Sequence, residues 1–270
     1  MNLKRLCVLY FSPTGGTERI ARFAVGELAG RLGLEPEFID FTRPEARQAE
    51  YRFAPDDLLV MASPVYAGRL PNKLMPEYKA RIFGSRTPAI PICVFGNRSP
   101  DEALRELVLL LEDNGFQIAA GAAFAGRHAF SDRVGGGRPD GEDLAQIAAF
   151  AAHAAEKLAG DALPLLEMDR SEIGPYYVPR KEDGSPAKFL KAKPLTRWER
   201  CSRCGACARA CPIGSIDPAT MEAVGLCIKC QACVRRCTVQ AKYFEDADFL
   251  SHVAMLEQTF TRRAEHVILL

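Results

Sequence analysis

The sequence predicts an α/β chain: a doubly wound, five-stranded parallel sheet, followed by a small α+β domain organised by cysteines. Three observations predict it. Strand-like and helical runs alternate up to about residue 160, the pattern of βαβ units. A Ser/Thr/Gly loop, Ser12-Pro13-Thr14-Gly15-Gly16-Thr17, separates the first strand-like run from the first helical one. Eight of the ten cysteines repeat one spacing, C-x2-C-x2-C-x3-C.

Strand-like runs fall at 4–11, 35–41, 57–63, 88–95 and 117–125, and helical runs at 17–32, 71–83, 100–114 and 141–159. The crossover from 42 to 56 has room for only a turn or two of helix. Right-handed crossovers restrict the topology closely; the expected strand order is 2-1-3-4-5, with ligands at the carboxyl ends of the strands. The first run, KRLCVLYF, is apolar enough for a buried strand, and Cys7 and Cys93 read as small buried hydrophobes within their strands. From Glu18 a helical period places Ile20, Phe23, Ala24 and Leu28 on one face. The loop between them presents helix-start N–H groups and hydroxyls at 12, 14 and 17, a site for an anion. It lacks the Gly-Lys-Ser/Thr ending of a triphosphate loop, so one terminal phosphate suits it better. This first domain spans 1–160. Prolines at 164, 175, 179, 186 and 194 then mark a linker, 161–198. The cysteine runs occupy a second domain, 199–246. The last segment, 247–270, reads as a C-terminal helix, with Phe249, Val253, Leu256 and Phe260 at helical spacing.

The cysteine runs are Cys201, Cys204, Cys207 and Cys211, then Cys227, Cys230, Cys233 and Cys237. Three ligands at this spacing plus a remote fourth fit a four-iron cubane, whereas zinc sites pair two C-x2-C units. Two [4Fe-4S] clusters are implied. One is held by Cys201, Cys204, Cys207 and Cys237, the other by Cys227, Cys230, Cys233 and Cys211. A net charge of +1 gives no case for nucleic acid, and no apolar run reaches the 18 or so residues of a membrane span. The opening MNLKRLCVLYF continues straight into the anion loop and is a first strand rather than a signal peptide. Ten cysteines, eight of them at metal spacing, without an export signal point to a reducing cytoplasm, and clusters of this kind to an anaerobic setting.

Residues 1–160 resemble flavodoxin on the strength of Ser12-x-Thr14-Gly15-x-Thr17 after the first strand. Residues 199–244 resemble a two-cluster bacterial ferredoxin. The combination is similar to flavodoxin–ferredoxin fusion proteins. The resemblance implies that Ser12, Thr14, Gly15, Gly16 and Thr17 hold the phosphate of FMN. It also implies that Pro64, Val65, Tyr66, Ala67 and Gly68, with Phe95, Gly96, Asn97 and Arg98, grip the flavin ring, Tyr66 being the stacking aromatic. Arg69 is either a surface charge or the balance to a flavin anion. Two departures stand out. Cys237 is followed by Thr238 where the family has proline. The segment 196–245 carries eight basic against four acidic residues, a net +4, where many bacterial ferredoxins are acidic. Positive surroundings favour the reduced cluster and steer an acidic redox partner.

His128 follows the fifth strand and is a candidate proton donor or a hydrogen-bonded structural residue. The long loop from Gly126 to Pro139 is placed to form a lid. Three readings of function follow: an oxidoreductase in which clusters and FMN serve a small organic acceptor; an electron carrier between proteins; and a redox sensor. A redox-protein donor or acceptor and a homodimer are the expected partners. The linker is long enough to reach a second subunit.

Overall fold

The protein is described from a computed structural model over residues 1–160 and 162–270; Asp161, where the expected linker begins, lies outside the described residues. The alternation becomes β1 (Arg5–Tyr10), α1 (Gly16–Leu32), β2 (Pro36–Asp40), β3 (Asp57–Pro64), α2 (Met75–Arg81), β4 (Thr87–Phe95), α3 (Ala103–Asp113), β5 (Gly121–Ala125) and α4 (Gly141–Ala159). These five strands are parallel and run in the order β2-β1-β3-β4-β5, the flavodoxin-like winding. Strands β3 and β4 are buried nearly throughout, because helices cover both faces of such a sheet. Leu9, Met61, Cys93 and Leu107 lie in the core on one face; Val8, Ala24, Ile92 and Phe150 lie in the core on the other. The short second crossover holds one 3-10 turn, Glu45–Gln48.

The fifth strand differs from expectation. Its run is split into Phe116–Ile118, paired with Thr87–Ala89, and β5, paired from Ile92 onward. The break lies opposite Ile90–Pro91. Ala89 C=O accepts from Ala119 N–H at 2.9 Å. Alternate residues of a strand face the same neighbour, so the N–H that Pro91 lacks is missing on that side.

Beyond α4 the chain follows the carboxyl edge of the sheet. Tyr177 N–H donates to Ala67 C=O at 2.8 Å and the Tyr176 hydroxyl to Leu70 C=O at 2.9 Å. Arg69 makes a bidentate pair with Glu106 and lies over the Tyr176 ring. It therefore straps this segment down, and is neither a loose surface charge nor a flavin counterion. Leu195–Thr196 and Lys242–Tyr243 form an antiparallel ladder enclosing α5 (Ala206–Ala210) and α6 (Ala232–Arg235). Two arginines tie this unit to the sheet. Buried Arg47 donates to Pro212 C=O, and Arg235 donates to Ala129 C=O and pairs with Asp132.

Helix α7 (Ala247–Thr259) is capped by Asp246, which accepts from Phe249 N–H. Phe249 packs against Phe130, Phe189 and Phe244 from both units. The expected helix does not continue to 270. Residues Val267–Leu269 form β6, antiparallel to β5, and cover an edge that is otherwise open to pairing. The tail that leads there is held by Asn97. Its amide donates to Phe260 C=O and Arg262 C=O at 3.1 and 2.8 Å, and its oxygen accepts from Arg138 Nη1 and Ala264 N–H at 2.8 and 3.1 Å. Arg138 also pairs with buried Asp143. No helix among the described residues is long and apolar enough to cross a membrane.

Asn97→Ala orphans several buried polar groups at once and is expected to cost about 2–4 kcal/mol. Denaturant unfolding measures that loss, and hydrogen exchange should rise over 260–269. Unchanged stability would remove Asn97 from this role.

Candidate functional site

Parallel pairing brings the loops after β1, β3, β4 and β5 to one edge of the sheet. The first loop turns into α1 through Gly15, whose φ of 84° is left-handed and is open to glycine at little cost. The N-cap residue, Gly15, has no side chain with which to cap that helix; the Ser12 hydroxyl takes that part, accepting from Glu18 N–H of the first turn at 2.9 Å. A β-carbon built on Gly15 or Gly16 meets nothing within 4 Å, so the backbone here faces open space. N–H groups, the Thr14 hydroxyl and the helix dipole remain to meet an anion. The residues present fit the phosphate that the sequence implies.

Two adjoining cavities open from this loop, of about 230 and 680 Å³; ligand sites commonly span roughly 300–1,000 Å³. The first is lined by Ser12, Thr14, Gly16, Thr17, Pro64, Val65, Tyr66, Ala67, Phe95, Gly96, Arg98 and His128, all expected from the sequence. Gly15 faces only the second. Two expected ligands line neither. Asn97 is saturated by the C-terminal tail, as described above. Gly68 is a turn residue at φ 77°, and a β-carbon there would sit 2.2 Å from Asp101 Oδ2. Arg98, which does line the cavity, is held by Asp101 and stacked on Tyr177 at 4.1 Å.

Several lining residues escaped sequence reasoning. Tyr177 and Phe189 come from the linker, His252 and Leu256 from α7, and Ile228, Lys229 and Cys230 from the second cysteine run. No local pattern announces them, although Tyr176-Tyr177 and Phe189 are conspicuous aromatics in an otherwise polar stretch. Together with Phe130 they roof the cavity, which no carboxylate lines.

His128 lies against Gly96, where a β-carbon would approach its ring to 2.4 Å. Its Nδ1 accepts from Phe130 N–H at 3.1 Å, so the proton of the neutral ring sits on Nε2. Burial, then His252 and the neighbouring Arg98 and Arg235, push its pKa down to about 3. The ring is therefore a neutral hydrogen-bond donor at ordinary pH and not an imidazolium acid. Tyr66 is held protonated well above pH 10, by burial first and by nearby Cys230 next.

The eight cysteines ring two further cavities, four to each. Cys211, Cys227, Cys230 and Cys233 line one; Cys201, Cys204, Cys207 and Cys237 line the other. These are the two sets expected, each with its remote fourth member. Among the described residues no three His, Cys, Asp or Glu side chains converge as on a single metal ion, and all ten cysteines are free thiols. The backbone repeats itself around both cavities. Left-handed residues fall two and four places after the first cysteine of each run, at Arg203 and Gly205 and again at Lys229 and Gln231. A third falls three places after each last cysteine, at Gly214 and Gln240. Such reversals form concavities of N–H groups that hold anionic clusters. Ser215, Lys229 and Ala241 N–H donate to the sulfurs of Cys211, Cys227 and Cys237 at 3.2, 3.4 and 3.1 Å. The two sites fit anionic cubanes. Cys230 and Ile228 line both a cluster cavity and the roofed cavity beside Tyr66.

Residues 195–217 match the 4Fe-4S binding domain family. The match begins at the Leu195–Thr196 strand, four residues before the boundary expected at 199. No curated protein matches the chain. Among solved structures the chain is similar to a flavodoxin from the domain Archaea (14% identity, covering 58% of this chain and 100% of that one, TM-score 0.41). It is also similar to the flavodoxin of Streptococcus pneumoniae TIGR4 (20%, 57% and 99%, 0.42) and to flavodoxin 2 of Bacillus cereus (19%, 57% and 99%, 0.41). The chain thus joins a flavodoxin-like α/β fold, defined by its strand order, to a 4Fe-4S binding domain.

The His128 geometry has a consequence for pH. Its folded pKa is about 3 against an ordinary 6.5, so below pH 6.5 the unfolded chain binds the extra proton and stability falls as pH drops toward 3. His128→Asn should make the decline in unfolding midpoint shallower between about pH 6.5 and 4. A wild-type slope in the variant would contradict the buried neutral imidazole.

Proposed function

We propose that this chain is an oxidoreductase coupling two [4Fe-4S] clusters to FMN, with a small organic molecule as the final acceptor. The observation that carries the reading is Cys230, which borders both a cluster cavity and the roofed cavity. When bound, FMN supplies exchange between one-electron and two-electron steps, and the clusters supply single electrons. The chain's own residues position them. The Thr14 and Thr17 hydroxyls and the N–H groups of Gly16 and Thr17 hold the phosphate. Tyr66 and the Gly96–Arg98 turn frame the ring. His128 directs Nε2–H as a neutral donor. Tyr66 lies beside Cys230 and stays protonated, so no phenolate opposes negative charge arriving there.

The roof supports a small acceptor over a protein one. Phe130, Tyr177, Phe189, His252 and Leu256 close the cavity on the side where a bare flavodoxin-like sheet would present a flavin edge. Electrons then enter at the other cluster, whose ligand Cys204 is exposed. Arg200, Arg203 and Arg209 near it suit a redox protein with an acidic face.

Thr14→Glu places a carboxylate against the phosphate and should abolish FMN binding while leaving about eight irons per chain. Flavin and iron analysis of anaerobically purified protein reads both, and FMN retained at full affinity would reject the site. The relay has its own check. Rapid mixing with a one-electron donor should bleach the clusters first and the flavin later. Cys204→Ser should slow flavin reduction about tenfold or more with FMN still bound. An unaltered rate would make the two halves independent carriers.

A further inference from the structure

The 680 Å³ cavity beyond the phosphate loop is unlike the roofed one. Five arginines line it: Arg19, Arg127 and Arg138 from the flavodoxin-like fold, and Arg235 and Arg236 from the cysteine-rich unit. Only two carboxylates answer them. Asp132 is shared by Arg127 and Arg235, and Asp143 holds Arg138. The other two are unspent. Arg19 makes one 3.3 Å hydrogen bond, to Pro139 C=O. The Arg236 guanidinium has no hydrogen-bond or ion-pair partner among the described residues, and both side chains are exposed. Neither arginine pairs with a carboxylate among the described residues, and like charges gathered without anions repel. A single phosphate on the Thr14–Thr17 loop would use the loop's own N–H groups and fill a small part of this space.

We propose that this cavity binds the diphosphate of a nucleoside diphosphate group, with Arg19 and Arg236 closing on it from the two units. Paired guanidinium groups match phosphate oxygens through forked donation. Gly15 and Gly16 line the same cavity; the Gly15 N–H donates to Ser12 C=O, and the Gly16 N–H is left to add a neutral donor. The occupant's chemistry is the same whether it is the ADP portion of a flavin dinucleotide or of a separate nucleotide. The proposal rests on the phosphate-loop reading for its position alone, since it continues from the place where a flavin phosphate would end.

The test uses the anaerobically purified full chain. Flavin released by acid is identified, and the same holoprotein is titrated calorimetrically with ADP and with inorganic pyrophosphate at low and high salt. Release of FMN together with ADP binding assigns the cavity to a separate nucleotide. Release of FAD, with Arg19→Ala and Arg236→Ala each weakening its retention, assigns it to the cofactor's own ADP portion. Either result supports the proposal, and for free ADP each substitution should weaken binding at least about tenfold, with high salt weakening it further. Protein that releases FMN and binds neither probe, or binds them equally in both variants, overturns it. Protein without flavin that still binds ADP through Arg19 and Arg236 keeps this site and loses the flavin reading instead.

Discussion

The parallel pairing of β1 with β3, and of β3 with β4, is the constraint from which the remaining organisation follows. Parallel strands must be joined by crossovers, so the carboxyl ends of β1, β3, β4 and β5 all open at one edge. Apolar strands buried on both faces leave no functional surface except that edge. The anion loop, the Tyr66 turn, the Gly96–Arg98 turn and the His128 loop meet there because topology permits nothing else. The linker, α7 and the cysteine-rich unit then settle on the same edge, where backbone groups of the turns are free to accept them.

The second unit is attached by polar anchors around an aromatic contact. Arg47 reaches Pro212, next to the cluster ligand Cys211, and Arg235 reaches Ala129, next to His128. Arg47 thus ties the second crossover to the first cysteine run, and Arg235, within the second run, ties that run to the loop after β5. Phe249 fills the space between, against Phe130 on one side and Phe244 on the other. This arrangement brings Cys230 to the roofed cavity while Cys204 stays exposed, so one four-cysteine cavity faces inward and the other faces solvent.

Charge is distributed unevenly around these cavities. Both that open from the phosphate loop lack carboxylate linings, and the larger is bounded by five arginines. Burial first, and then His252, Arg98 and Arg235, keep His128 neutral. Its role is thereby narrowed to hydrogen bonding, a conclusion that the residue's position after the fifth strand does not reveal.

Local chemistry in the sequence was enough for several features. Alternating runs specify βαβ units, and repeated cysteine spacing specifies two four-ligand sets, because both depend on residues close together in the chain. The hydroxyls and glycines of residues 12–17 specify an anion loop for the same reason. Asn97, Gly68 and Arg69 show the limit. Each lies in a loop that reads as ligand-binding, yet Asn97 is claimed by a tail more than 160 residues away, Gly68 by a close approach to Asp101, and Arg69 by Glu106 and Tyr176. The division of the fifth strand and the final strand β6 likewise depend on partners: Pro91 on a neighbouring strand, and the open edge of β5. Tertiary structure alone decided the roof and the arginine-lined cavity. Hydrogen bonds and burial across long separations have no period in the sequence, whereas strands, helices and cysteine loops do.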